Sequence, residues 1–246
     1  MIHRDLLLHY LDELLAIDEI ADFCPNGLQV EGKDQVSKII TGVSVSVQLF
    51  QESVARRADL VMVHHGLLWD REPRQITGSL KKRVQILLQH DMSLLAYHLP
   101  LDKHPDLGNN GVAANALNLQ GKKPFGSIGY AGVTEPCSLD ELLRRVEGLY
   151  RQSPLVFSFG PDQIRSVGIC SGGCAQDVVL AISQNLDAFI TGEAKESTLH
   201  LAKEGGIHFI AAGHYATERL GIQALGEHVA AKFSLPVEFV EIPNPV

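Results

Sequence analysis

The sequence predicts an α/β protein built from two similar halves, with mixed sheets and flanking helices. Short apolar runs rich in β-branched residues alternate with segments of helical periodicity along the 246 residues. Two motifs of the first half recur, in the same order, in the second. A Gly/Lys/Pro-rich stretch, residues 121–126, separates the halves. We therefore expect one α/β half over residues 1–124 and a second over residues 125–246.

The first half alternates helical and extended patterns. Residues 3–16 place Leu7, Leu11, Leu14 and Leu15 on one helical face. The other apolar patterns predict helices over residues 48–57, 79–89 and 112–119, and strands over residues 38–45, 60–63 and 94–98. This alternation is typical of βαβ units, in which neighbouring strands run parallel.

The second half repeats that alternation. Ser138-Leu139-Asp140-Glu141 fits a capping box that opens a helix ending near Tyr150. Further patterns predict helices over residues 175–185, 198–203 and 214–233, and strands over residues 165–171, 187–191, 207–212 and 236–242. Ser171-Gly172-Gly173, between a strand and a helix, is interpreted as a tight turn rather than an anion-binding loop.

Two pairs of segments indicate an internal duplication. Residues 59–65 and 187–193 both follow a helix, begin with Asp and end in polar residues. Residues 98–102 and 214–218 both follow an apolar strand and set a histidine four residues before a carboxylate. Two halves that face each other would bring four strand ends, and the polar residues at those ends, to one place.

Composition excludes several classes of partner. The formal net charge is -8, and no Lys/Arg-rich patch of the kind that binds duplex nucleic acid is visible. No apolar run approaches the roughly 20 residues that cross a bilayer, so we expect no membrane partner. The N-terminal pattern is unlike a signal peptide, which predicts a cytoplasmic protein. The four cysteines, Cys24, Cys137, Cys170 and Cys174, form no C-x-x-C motif and are expected to be reduced thiols.

The chemistry is predicted to centre on Leu60-Val61-Met62-Val63-His64-His65-Gly66, a buried strand that ends in two histidines. Neighbouring side chains of a regular strand point to opposite faces, so both histidines serve one site only if the backbone turns, which Gly66 permits. Two imidazoles arriving from different directions suit two neighbouring metal ions. Alternatively, the pair is an ordinary strand end with two partly exposed histidines.

Three further residues also follow predicted strands and complete a candidate metal site. Asp102 follows one strand, and His214 and Glu218, four residues apart, share a helix face after another. Imidazole and carboxylate together suit zinc, iron, manganese or cobalt. Five ligands cannot saturate two ions, so positions would be left for water or a substrate, as in catalytic metal sites.

His98 stands beside these candidates without a clear role. It could act as a general acid or base, or hold a ligand by a hydrogen bond, or simply pack at a strand end. Glu193 is a weaker candidate of the same kind.

Motifs along nearly the whole chain resemble those of the Nif-three-like family, also called the GTP cyclohydrolase I type 2 homologue family or the YbgI-like dinuclear metal centre proteins. The motifs appear in order and are Pro25-Asn26-Gly27-Leu28-Gln29-Val30-Glu31-Gly32, His64-His65-Gly66, His98-Leu99-Pro100-Leu101-Asp102, Gly108-Asn109-Asn110, Ile190-Thr191-Gly192-Glu193, Gly213-His214, Thr217-Glu218-Arg219 and Ile242-Pro243-Asn244-Pro245.

The resemblance implies two intertwined α/β halves, a dinuclear metal site and a toroidal homohexamer. His65 and Asp102 would hold one divalent ion, His64 and His214 the other, and Glu218 would bridge them. The activity expected is that of a metal-dependent hydrolase acting on a nucleotide-like or heterocyclic small molecule through a metal-bound hydroxide, with His98 as a proton shuttle. The alternative is a non-catalytic metal-binding protein with a regulatory, interaction or metal-handling role.

Overall fold

The computed structural model describes residues 1–72 and 75–246, and these divide into two compact units. The first unit comprises residues 1–101 and 222–243, and the second comprises residues 102–221 and 244–246. Two of the three points of division lie within helices, α4 (Leu99–Lys103) and α10 (Arg219–Phe233). Each unit has its own sheet, flanking helices and buried core.

The first unit holds a five-stranded mixed sheet with the order β13-β4-β5-β6-β2. Its strands are β2 (Gly27–Val30), β4 (Ile39–Ser44), β5 (Leu60–His65), β6 (Ser93–Ala96) and β13 (Val237–Phe239). A separate ribbon pairs β1 (Ile2–His3) with β3 (Gln35–Val36). The α-helices that lie wholly within the first unit are α1 (Arg4–Leu15), α2 (Val47–Ala55) and α3 (Gly78–Gln89). The strands from β13 to β6 pair in parallel, and β4, β5 and β6 are joined in βαβ order through α2 and α3. β2 pairs antiparallel with β6.

Burial explains why these segments form these elements. β4, β5 and β6 are almost wholly buried, which is typical of parallel strands covered on both faces. In α1, Leu7, Leu11 and Leu15 are buried at the predicted helical spacing. The helix ends where Ala16 takes a left-handed conformation.

The second unit holds a six-stranded mixed sheet with the order β7-β8-β10-β11-β12-β9. Its strands are β7 (Gln120–Phe125), β8 (Gly129–Cys137), β9 (Leu155–Phe157), β10 (Ile164–Cys170), β11 (Ala188–Thr191) and β12 (His208–Ala211). Its helices are α5 (Asn109–Ala116), α6 (Leu139–Tyr150), α7 (Val178–Ser183), α8 (Glu196–Gly205) and α9 (His214–Thr217). The predicted capping box is present, since Ser138 and Glu141 exchange hydrogen bonds at the start of α6.

The two units repeat one order of elements. In the first, a helix and an antiparallel strand (α1, β2) precede three parallel strands joined by helices (β4-α2-β5-α3-β6). In the second, α6 and β9 precede β10-α7-β11-α8-β12. The antiparallel strand lies beside the third parallel strand in both sheets. The predicted α/β class with mixed sheets and flanking helices is confirmed.

The stretch predicted as a linker is a strand. Residues 120–125 form β7, which pairs with β8 at the edge of the second sheet. Pro124 and the lysines misled the prediction, because proline and charged residues are tolerated on an edge strand that lacks one neighbour. The division into units accordingly differs from the boundary expected at residue 124, since residues 102–124 pack within the second unit and residues 222–243 return to the first.

The helix predicted over residues 214–233 is interrupted. α9 ends at Thr217, Glu218 leaves the helical conformation, and α10 begins at Arg219. Within the described residues, no helix combines the length and apolar character needed to span a membrane.

Candidate metal-binding clusters

His64 and His65 occupy the last two positions of β5, immediately before Gly66. The strand continues through both residues, whereas the sequence predicted that it ends at Val63. His64 is fully buried and His65 is half-buried. Their ring centroids are 4.6 Å apart and the planes are tilted by 45°. The two side chains therefore lie next to each other, as one metal site requires.

Hydrogen bonds fix the orientation of both rings. His64 Nδ1 lies 2.9 Å from the backbone carbonyl oxygen of Tyr97, which follows β6. Because a carbonyl can only accept, Nδ1 carries the proton and Nε2 is the atom that can bind a metal in the neutral ring. His65 Nδ1 is 2.9 Å from the hydroxyl of Ser44, the last residue of β4. Such oxygen partners are typical of histidines that bind metals.

His98 completes a three-histidine cluster in the first unit. One ring nitrogen of each of His64, His65 and His98 lies within 4.8 Å of the others. His98 Nδ1 donates to Asp22 Oδ1 at 2.9 Å, and its backbone N–H donates to Asn26 Oδ1 at 2.8 Å. His98 is thus held rigidly with Nε2 on the opposite side of the ring from Asp22.

Asp22 is a functional candidate that the sequence interpretation missed. Burial alone would raise the pKa of this carboxyl group, but hydrogen bonds from His98, Asn26 and the Leu99 N–H outweigh it and lower the pKa to about 2. Asp22 is therefore an anion beside His98. It stands 76 residues from His98 and belongs to no recognisable motif, so no local signal marks it.

An apolar cavity of about 360 Å³ is lined mainly by residues that follow His65 in the sequence. Its lining is Pro25, Leu67, Leu68, Trp69, Asp70, Glu72, Ile76 and Leu80. Trp69 also meets His98 edge to face at 5.1 Å and His65 at 5.9 Å between ring centroids. Trp69 therefore belongs to the lining of the cavity and also contacts the histidine cluster.

In the second unit, Asp102 is held by neutral donors. Its Oδ1 accepts hydrogen bonds from Asn109 Nδ2 at 2.8 Å and from Ser171 Oγ at 3.0 Å. All three side chains are buried. Asn109 opens α5 and Ser171 follows β10, so two distant segments orient one carboxylate. Asn109 belongs to the Gly108-Asn109-Asn110 motif, whereas the sequence around Ser171 indicates only a tight turn.

His214 lies between two carboxylates in the same unit. Its Nε2 is 3.1 Å from Glu218 Oε2 and its Nδ1 is 2.5 Å from Glu193 Oε1. Burial alone would lower the pKa of His214, but the two carboxylates outweigh it and raise the pKa to about 9. The predicted proximity of His214 and Glu218 is present, although Glu218 follows α9 instead of lying within a long helix. Glu193, the weaker candidate, is the residue that orients His214.

Gly172 leaves space for the Glu218 carboxylate because glycine has no Cβ atom. A Cβ atom at Gly172 would lie 2.1 Å from Glu218 Oε1, and its φ of +64° is one that only glycine adopts readily. Carboxylate oxygens of Asp102 and Glu218 lie within 4.8 Å of each other. Asp102, His214 and Glu218 thus form a cluster of imidazole and carboxylate ligands, a donor set that suits borderline divalent ions.

Comparison with known proteins finds related sequences and the same fold over nearly the whole chain. A protein of Pasteurella multocida (strain Pm70) called GTP cyclohydrolase 1 type 2 homolog is 46% identical over 241 residues, with 96% of each chain covered. The solved structure of protein ybgI, described as of unknown function, has a TM-score of 0.96 at 42% identity and covers 100% of both chains. Protein TTHA1606 from Thermus thermophilus has a TM-score of 0.93 at 36% identity, again over 100% of both chains. Residues 2–245 match the family model described as Duf34/NIF3 (NGG1p interacting factor 3), so the chain belongs to the Duf34/NIF3 family.

Proposed function

We propose that this protein is a dinuclear metal-dependent hydrolase that acts on a nucleotide-like or other heterocyclic small molecule. In this proposal His64, His65, Asp102 and His214 would hold two divalent ions, and Glu218 would be shared between the ions. The ions would be iron, zinc, manganese or cobalt.

The observation that carries the proposal is the orientation of the histidine rings. His64, His65 and His214 each have Nδ1 hydrogen-bonded to an oxygen atom. In each case Nε2 is the remaining ring nitrogen, so all three would bind metal through the same atom. A buried strand-end histidine that serves only packing has no need of such an arrangement. The donor set, three imidazoles and two carboxylates, also fits the chemistry of two borderline divalent ions.

Bound ions would supply a Lewis acid and lower the pKa of a coordinated water, which is the chemistry that hydrolysis of an unreactive heterocycle needs. The protein would contribute the proton transfers. His98, oriented by Asp22, is positioned to accept a proton at Nε2, and the Asp22 anion would stabilise the imidazolium that results. Glu193 accepts a hydrogen bond from His214 Nδ1 and would hold the His214 ring with Nε2 available as the metal-binding atom.

The proposed substrate class has two supports. The apolar cavity is large enough for a small ring system, and an aromatic residue, Trp69, forms part of its lining. Relatives at 44% to 46% identity are named as homologues of a GTP cyclohydrolase, an activity in which a heterocycle is opened by water. We also propose that the protein forms a homohexamer, for which light scattering should report six chain masses. We further propose a cytoplasmic location, because cysteines stay reduced in the cytoplasm and the four cysteines of this chain are free.

The proposal is tested by metal analysis followed by a substrate screen. The full chain is purified without added metal, its ions are counted by mass spectrometry, and the metal-replete protein is incubated with nucleotides, including GTP, and with free heterocycles. We expect about two ions per chain, and a turnover that chelation abolishes and added metal restores. Two ions without turnover on any substrate would favour the alternative, a metal-binding protein without catalytic activity. Absence of bound metal under every condition would contradict both.

A further inference from the structure

A second cluster of metal-binding side chains lies in the second unit, and none of its members belongs to the proposed dinuclear centre. Cys170, Cys174 and Asp177 each offer one ligand atom, and these three atoms lie within 4.8 Å of one another. The sequence interpretation treated the two cysteines as unrelated thiols, because a spacing of four is not that of a C-x-x-C motif.

The local fold creates the cluster. Cys170 ends β10, a turn through Gly172 reverses the chain, and Cys174 precedes a single 3-10 turn, Ala175–Asp177. Asp177 closes that turn and stands immediately before α7. The chain thus folds residues 170, 174 and 177 onto one side of the turn. Cys170 is fully buried, whereas Cys174 and Asp177 are partly exposed, so an ion could reach the cluster from solvent.

Three acidic groups face one another there. A hydrogen bond with Cys174, together with burial, raises the pKa of the Cys170 thiol, and burial raises the pKa of Asp177. The neutral thiol of Cys170 is therefore favoured as long as no cation is present. A divalent cation would reverse that preference, because thiols lose their protons when they bind metal.

The spacing of the ligand atoms suits such an ion after a small adjustment. Sulfur atoms bound at about 2.3 Å to a tetrahedral ion lie about 3.8 Å apart, and a carboxylate oxygen binds at about 2.0–2.2 Å. The observed separations, up to 4.8 Å, can close to these values by rotation of the Cys174 and Asp177 side chains, which lie towards the surface.

We propose that Cys170, Cys174 and Asp177 form a separate cation site for a thiolate-binding divalent ion of the zinc type, with water as the fourth ligand. On binding, the two thiols would release two protons to solvent and no change of oxidation state would occur. Thiolate ligands favour softer ions than the histidine and carboxylate clusters do, so the two kinds of site would differ in metal preference.

The site would also have a structural consequence. The turn that joins Cys170 to Cys174 contains Ser171, which donates to Asp102, and Gly172, whose N–H donates to Thr217 Oγ1. An ion held at both ends of this turn would restrain the segment that orients Asp102. Such stabilisation is expected of a structural metal site.

Cobalt(II) chloride is the probe of choice, because a thiolate bound to cobalt gives a charge-transfer band in the near ultraviolet that imidazole and carboxylate ligands do not give. The metal-stripped, reduced full chain is titrated with cobalt, as is the His65→Ala variant, in which the proposed dinuclear centre is impaired. We expect the band in both proteins. Its presence in His65→Ala separates this proposal from the proposed function, which can fail while the thiolate site stands.

Three variants assign the band to residues. Cys174→Ser should reduce the band to about half or less, because it removes one of two thiolates. Asp177→Asn should weaken cobalt binding about tenfold or more with the band retained, and Cys137→Ala, a buried cysteine outside the cluster, should leave the band unchanged. Circular dichroism identifies any variant that does not fold. The proposal is overturned by the absence of a thiolate band in the folded, reduced wild type, or by a band of undiminished intensity in Cys174→Ser. It is also overturned if air oxidation forms a Cys170–Cys174 disulfide in protein supplied with zinc, since a bound ion should protect both thiols.

Discussion

Asp59 and Asp187 perform the same task at corresponding points of the two units. Asp59 Oδ2 accepts hydrogen bonds from the backbone N–H groups of residues 37 and 38, at 2.7 and 3.1 Å. Asp187 Oδ2 accepts from the N–H groups of residues 165 and 166, at 2.8 and 2.9 Å. Each aspartate immediately precedes the second of the three parallel strands that helices join in its unit. Its carboxylate accepts hydrogen bonds from the backbone at the start of the first of these strands. The repeat is therefore preserved in a specific interaction as well as in the order of elements.

Replacing either aspartate by alanine should destabilise its unit. Asp59→Ala and Asp187→Ala each leave two backbone donors without their acceptor, which costs about 1–3 kcal/mol of unfolding free energy. The two losses should add in the double variant, since the two aspartates share no partner. Urea unfolding followed by circular dichroism measures the effect, with Asp162→Ala, an exposed aspartate, as the control. A loss no larger than that of the control would contradict the assigned role.

The internal repeat was predictable because it is carried by residues whose types are constrained. Asp59 and Asp187, and the His-x3-carboxylate segments at 98–102 and 214–218, recur at matching points, and periodicity found the strands between them. β7 was missed because an edge strand with lysines and a proline has the composition of a loop. Edge strands pair on one side only, so burial imposes no apolar pattern on them.

The metal-ligand candidates could be found from sequence, but most of the contacts that orient them could not. The five candidates all lie at or after strand ends, a local property, and they are His64, His65, Asp102, His214 and Glu218. Only Glu193, which orients His214, was also a candidate from sequence. Tyr97 orients His64 through a backbone carbonyl that any residue could supply, and Ser171 is 69 residues from Asp102. Asp22 likewise stands 76 residues from His98. No spacing rule predicts contacts of that kind.

Glu218→Gln should empty the proposed dinuclear centre. The substitution keeps the shape of the side chain but removes the charge that a bridge between two cations needs. We expect bound metal to fall from about two ions per chain to near zero, with an unchanged circular dichroism spectrum. Glu227→Gln, at an exposed position of α10, is the control and should keep its metal. Unchanged metal content in Glu218→Gln would refute the bridging role.

Two neighbouring glycines provide a matched pair of variants. In Gly172→Ala the new methyl group would overlap Glu218 Oε1, and the residue would be forced to a left-handed conformation. In Gly173→Ala the nearest atom is His214 Cε1 at 3.9 Å, an ordinary contact. We expect metal affinity to fall about 10–100-fold in the first variant and to change little in the second, as measured by competition with a chromogenic chelator. Equal affinities would show that Gly172 does not control the position of Glu218.

His98→Ala separates proton transfer from metal binding. His98 lies within reach of His64 and His65, and its Nδ1 is held by Asp22, so Nε2 is the atom that would exchange a proton in the proposed reaction. On a substrate identified by the screen, we expect turnover to fall about 10²–10⁴-fold while the number of bound ions is unchanged. If the variant loses metal, His98 is itself a ligand, in addition to His64 and His65.

The Asp22–His98 pair should make stability depend on acid pH. In the unfolded chain the pKa of Asp22 is about 3.9, and in the folded protein its hydrogen bonds lower the pKa to about 2. A carboxyl group whose folded pKa is depressed contributes stability that is fully present above the unfolded pKa and lost as the pH falls through the folded one. The contribution is therefore complete above about pH 5 and should decline by roughly 2 kcal/mol as the pH approaches 2.

The comparison with Asp22→Asn isolates this contribution from that of other carboxyl groups. Both proteins are unfolded with urea in the presence of chelator, so that metal release does not add its own pH dependence. The difference in unfolding free energy between wild type and variant should be constant above about pH 5 and should shrink steadily below it. A difference that stays constant down to about pH 2 would mean that the Asp22 carboxylate gains nothing from its partners, and the anchoring of His98 would then need another explanation.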